Sequence, residues 1–104
     1  MIRAEFFGKP PKGFRVSGHS MSAPAGEDIV CAAVTSAVRL AETMINDVCG
    51  AGAPVTVDEE SATITLRLPD GSPESAYLAL EALRRYLSEL ALEVPEYVGV
   101  RVRK

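Results

Sequence analysis

The stretch Gly13–Val48, GFRVSGHSMSAPAGEDIVCAAVTSAVRLAETMINDV, decides the fold. Its first five residues, Gly13-Phe14-Arg15-Val16-Ser17, read as a strand, and from Ile29 the apolar spacing becomes helical. Val30, Ala33, Val34, Ala37, Val38, Ala41, Met44, Ile45 and Val48 form one stripe at a period near 3.6, which predicts a helix over about Ile29–Val48 with one face on a core. Between strand and helix lies a loop of small residues. Asp28 stands directly before the apolar run and is the predicted N-cap. Cys49 and Gly50 mark the other end, the glycine as C-cap and the cysteine as a structural thiol.

On the N-terminal side, Ile2–Phe7 is a predicted strand, and Gly8-Lys9-Pro10-Pro11-Lys12 is a turn leading into Gly13–Ser17. Beyond the helix, Val55-Thr56-Val57 and Ala62–Leu68 form a predicted hairpin around Asp58-Glu59-Glu60-Ser61. Ala62, Ile64, Leu66 and Leu68 point to one side, and Thr63, Thr65 and Arg67 to the other. Pro69-Asp70-Gly71 is a turn. Ser72-Pro73-Glu74 follows as a helix start, with a cap, a proline at the first position and an acid in the first turn. Ala76, Leu80, Leu83, Leu87 and Leu90 make that helix's apolar face, Pro95 closes it, and Val98, Val100 and Val102 alternate in a last strand. The order β-β-α-β-β-α-β predicts an α+β protein: a single domain over residues 1–104, with a largely antiparallel sheet and two helices whose stripes lie on it.

At 104 residues the chain is long enough for one modest core and too short for two. A net charge of −3 argues against nucleic-acid binding as its main role, and the basic cluster Arg101, Arg103 and Lys104 reads as a solvated strand tail. No charged segment followed by an apolar one opens the chain, and no run approaches the roughly 18 apolar residues that span a bilayer, so the expectation is a cytoplasmic protein with no membrane partner. If the helix is continuous, Cys31 and Cys49 lie about 27 Å apart at about 1.5 Å per residue, which forbids a disulfide between them. One histidine and two distant cysteines supply too few ligands for zinc, so no metal is expected. Tyr77, Tyr86 and Tyr97 read as packing or surface aromatics, because no basic residues interleave them.

Chemistry concentrates in the loop and the helix start, which hold the chain's only histidine, His19, and Cys31. With Asp28 as cap, Cys31 is the third helical residue. There the unpaired N–H groups and the positive end of the helix dipole favour a thiolate over a thiol. A protonated imidazole nearby acts in the same sense. By residue type alone, a lone cysteine is more often a small packing residue, and a lone histidine a surface one. Helical position shifts the balance, because Cys31 falls on the flank of the apolar stripe, where it is expected to face a cleft beside the core. Asp28 acts through its cap, adjacent Glu27 is no partner for it in acid-base work, and Gly18 and Gly26 bracket a loop expected to move.

Gly18-His19-Ser20 followed by Gly26-Glu27-Asp28-Ile29-Val30-Cys31-Ala32-Ala33-Val34-Thr35 resembles the signature of the ribosomal-processing cysteine protease family, Prp. Ser20 and Thr35 stand where that family usually has alanine and serine. The resemblance implies a homodimeric endopeptidase that acts on a ribosomal protein precursor. It removes the N-terminal extension of large-subunit ribosomal protein number twenty-seven, cutting after an aromatic residue during ribosome assembly. It further implies Cys31 as nucleophile and His19 as base, with no cofactor and no direct need for nucleic acid. The segment Gly18, Ser20, Met21, Ser22, Ala23, Pro24, Ala25, Gly26 and Glu27 is then expected to be a substrate loop that closes over an extended peptide. Two other readings stay open on residues alone: a non-enzymatic ribosome-associated binding module, and a thiol hydrolase of small amides or esters.

Overall fold

Alternating residues pair into one five-stranded sheet in the computed structural model, which describes residues 1–18 and 25–103, with backbone alone at 25–28. The strands are β1 (Ile2–Phe7), β2 (Gly13–Ser17), β3 (Val55–Asp58), β4 (Thr63–Arg67) and β5 (Val98–Arg103), in the spatial order β3-β4-β2-β1-β5. Three pairings are antiparallel and one, β1 with β5, is parallel, so the predicted largely antiparallel α+β sheet is what forms. In β1, Ile2, Ala4 and Phe6 are buried while Arg3 is exposed, so one face of the sheet carries the core. Phe6 lies in register with Phe14 across β1 and β2, the rings tilted at 55° with centroids 6.3 Å apart. Both side chains are fully buried, and each such burial stabilises the fold by about 1.5–3 kcal/mol.

Helix α1 spans Ala25–Thr43 and continues as a π-helical turn, Met44–Val48; helix α2 spans Glu74–Glu93. Val30, Cys31, Val34, Val38, Ala41 and Ile45 of the first, and Ala76, Leu80, Leu83 and Leu87 of the second, enter the same core as the sheet's buried face. The predicted α1 stripe is therefore two stripes. Ala33 and Ala37 are half-buried beside the buried line, Ala37 packed against the core, while Met44 and Val48 are exposed, Val48 at 70 %. Ile29–Val48 is long and apolar enough to cross a membrane by length and composition, but its buried line is occupied by the protein's own sheet.

The helix ends differ from the sequence reading in instructive ways. Ala25 opens α1, so Asp28 lies inside the first turn and is not its N-cap; Ala25, Gly26 and Glu27 belong to the helix and not to the loop. At α2 the helix begins at Glu74 with Pro73 in the cap position, while the Ser72 hydroxyl donates to the Pro69 carbonyl at 2.6 Å and closes the preceding turn. The π turn carries a tertiary contact. Asn46 accepts from the Ala53 N–H at 2.7 Å through Oδ1 and donates to the Ala53 carbonyl at 3.0 Å through Nδ2, which ties the helix end to the segment entering β3. Cys49 N–H reaches Met44 O at 2.9 Å, and Gly50 follows at φ +64°, as a C-terminal glycine should.

Candidate active site

Strand β2 delivers the chain to the site through a single residue. Gly18 has φ +100°, and a Cβ placed there would overlap the Met1 carbonyl oxygen. Any side chain at this position meets both a left-handed backbone and the first peptide of the chain, so glycine is required. The strand registers define what shares that end of the sheet: Arg3 opposite Ser17, Ile2 opposite Val98, and Asp58 opposite Thr63. The Ile2 N–H donates to Tyr97 O at 2.8 Å, fixing the start of β1 beside the start of β5. Sequence reading gave Met1 and Tyr97 no part in this end of the molecule. Their contributions are backbone carbonyls, which side-chain identity does not signal.

Cys31 is the seventh residue of α1, counted from Ala25, where the sequence placed it third. Its own N–H therefore belongs to the helical ladder, and the dipole effect, confined to the first turn, is weaker than the sequence reading assumed. The side chain is 4 % exposed and lies within the core cluster with Val30 and Val34, and not open on the flank of the stripe. Ile29, two residues before it, is 72 % exposed, and Ala32, directly after it, is exposed, so the buried thiol lies close in the chain to residues that meet solvent. The other cysteine is separate in kind and place: the half-buried Cys49 donates its S–H to the Ser75 hydroxyl at 3.1 Å. Both thiols are free. His19 and the loop residues Ser20, Met21, Ser22, Ala23 and Pro24 lie outside the described residues, as do the side chains of Ala25, Gly26, Glu27 and Asp28. Among the described residues no group of three or more His, Cys, Asp or Glu side chains is placed to hold a metal ion.

Away from this end, an uncharged groove of about 830 Å³ runs between the outward faces of the helices. Its floor is small, formed by residues such as Ala33, Ala37 and Ala82, and its rim is large, formed by Leu40, Met44, Leu78 and Tyr86. Leu40 is 72 % exposed and Leu78 61 %.

Among the described residues this end of the molecule holds one thiol, Cys31, buried on the helix that follows β2 in the chain, and a strand end at Gly18 that admits no side chain. The chain belongs to the cysteine protease Prp family, whose model matches residues 1–99, and it is a cysteine protease. The protein SMU.848 of Streptococcus mutans shares the fold at a TM-score of 0.90 and 25 % identity, over 99 % of this chain and 94 % of that one. The ribosomal processing protease Prp of Staphylococcus aureus, in complex with a substrate peptide, superposes at a TM-score of 0.88 with 19 % identity, over 99 % of this chain and all of that one. The same protease with a covalently linked product peptide superposes at 0.85 with 20 % identity and the same coverage. No curated protein matches the sequence.

Proposed function

We propose that this chain is an endopeptidase that removes the N-terminal extension from the precursor of large-subunit ribosomal protein number twenty-seven, cutting after an aromatic residue. Cys31 is the nucleophile and His19 the base. The observation that carries the reading is the family match over residues 1–99, which runs through both of them. The Staphylococcus aureus relative processes a ribosomal substrate and has been captured with a product peptide covalently attached, which is the outcome expected of a nucleophilic mechanism. Family membership sets aside the non-enzymatic module, and a site that accepts an extended peptide is favoured over one for small amides or esters.

In the proposed cycle the Cys31 thiolate attacks the scissile carbonyl, His19 protonates the leaving amine, and water then releases the acyl group from sulfur. A dyad suffices, and Asp28 has no role as a cap in it. The amides that hold the developing oxyanion move from Cys31 to the first helical turn. Helical side chains lean toward the N-terminus, so the amide four residues before Cys31, that of Glu27, lies on its face and is among the first-turn N–H groups that have no partner within the helix. The loop from Ser20 to Pro24 closes over the peptide, and the reaction takes place in the cytoplasm.

The test is direct. The purified precursor, incubated with the protein, is expected to lose its extension in one cut after an aromatic residue, read by intact mass. A precursor left whole, or cut at many unrelated bonds, would sink the assignment of substrate.

A second copy of the chain completes the protein in this reading. What supports it is the groove between α1 and α2, which carries both knobs and holes on one uncharged surface and is therefore able to pack against itself about a two-fold axis. Substituting Leu40→Lys is expected to convert the dimer to a folded monomer, measured by sedimentation velocity with circular dichroism as the fold control. An unchanged dimer would place the interface elsewhere.

A further inference from the structure

The sheet's second face is strongly basic, although the chain as a whole carries −3. Because side chains alternate, the strand registers sort residues onto two faces. Ile2, Ala4, Phe6, Phe14, Val16, Leu66 and Val98 go to the core, and five of the chain's eight arginines go to the other side. Arg67 of β4, Arg15 of β2, Arg3 of β1, and Arg101 and Arg103 of β5 all lie on that side, and all are exposed. One row across the sheet reads Thr65, Arg15, Glu5, Arg101, and the next reads Arg67, Gly13, Phe7, Arg103. Adjacent strands lie about 4.8 Å apart, so these guanidinium groups span about 14 Å of open sheet.

Among the described residues of the strands, two acids share the face. Glu5 pairs with Arg103 at 2.7 Å. Asp58, at the outer edge, is turned to its own hairpin and accepts from the N–H groups of Glu60 at 3.1 Å and Ser61 at 3.4 Å. Five positive charges thus stand against two negative ones. Among the described residues, Arg3, Arg15, Arg67 and Arg101 have no ion-pair partner. The helical arginines behave differently: Arg84 and Arg85 both bind Glu81, whose carboxyl is held below its ordinary range chiefly by the Arg84 hydrogen bond.

We propose that this face is a docking platform for the phosphate backbone of structured RNA, by which the protease is held on the RNA of an assembling ribosomal particle while its site end stays free for the peptide. The proposal rests on the proposed function for the presence of RNA near the substrate. The surface chemistry is the independent part. Arginine forks bind phosphate oxygens in pairs and are less strongly hydrated than lysine ammonium groups, and all five cations on the face are arginines. Unpaired like charges gathered on one face weaken a sheet, so the arrangement points to a polyanion that offsets them. The face lies across the sheet from the helices and the buried Cys31, and of its arginines only Arg3, opposite Ser17, lies at the end where His19 follows β2, while Arg15, Arg67, Arg101 and Arg103 lie further along the sheet.

Anisotropy of a labelled RNA hairpin of about 20 base pairs, titrated at several salt concentrations, tests the proposal; three to four phosphate contacts predict a slope of log K against log salt near −3. Replacing Arg15→Gln and Arg101→Gln together is expected to weaken binding on the order of tenfold or more and to flatten the slope by about 2. Glu5→Gln is expected to tighten it. Arg101→Gln alone serves if the double variant fails to fold. Absence of binding at low salt, an unchanged affinity and slope in the variants, or equally effective competition by polyglutamate would each overturn RNA as the occupant. Cleavage of a free extension peptide is followed alongside and is expected to be the same in wild type and variants; a loss confined to the variants would tie the face to the catalytic site and overturn the platform. Failure of the wild type to cleave the peptide bears on the protease reading alone, because RNA binding is scored without it.

Discussion

Cys31→Ala is expected to lower cleavage of the precursor on the order of 10⁴-fold or more, the scale seen when a covalent nucleophile is removed. The variant should fold, because Cys31 is a small buried side chain at 4 % exposure and its loss leaves a cavity costing about 1–2 kcal/mol. Circular dichroism and thermal melting check the fold, and Cys31→Ser supplies a second variant of nearly the same shape. A covalent peptide adduct on the wild type, located to Cys31 by mass spectrometry and missing from both variants, completes the expected result. Turnover within tenfold of wild type in a folded variant would remove Cys31 from the chemistry.

His19→Gln is expected to reduce the rate by about 10²–10⁴-fold, the usual contribution of a positioned acid-base group, and to change the form of the pH dependence. No other histidine exists to substitute for it. A variant retaining the wild-type rate and pH dependence would show that the proton is handled elsewhere.

The order of elements was legible because the two periods differ so plainly. Alternation in Ile2–Phe7 and Thr63–Arg67 admits a strand, and the 3.6 spacing of Val30, Val34, Val38, Ala41 and Ile45 admits a helix. The helix start was less legible. Asp28 is a good capping residue, but Ala25 and Glu27 are good helix formers, and the helix extends through them and through Gly26. Periodicity also failed to choose between two adjacent apolar lines on α1. Apolar spacing alone does not tell which of Val34 and Ala37 meets the sheet, and the rotation of the helix is fixed by everything it packs on. At the candidate site, His19 and Cys31 were legible as residue types in a pattern, whereas the burial of the thiol depends on neighbours distant in the chain.

The sequence by itself determined the α+β class, the element order and the two groups suited to thiol proteolysis, because these follow from local spacing and from which side chains the chain contains. Only the tertiary structure decided that β5 runs parallel to β1, with Val98 beside Ile2, and that α1 ends in a π turn whose Asn46 is bonded to Ala53. It also decided that five scattered arginines share one face. A net charge is a sum over the chain, and pairing register, which joins residues up to 96 positions apart as in Ile2 and Val98, sorts that sum onto opposite sides of a sheet.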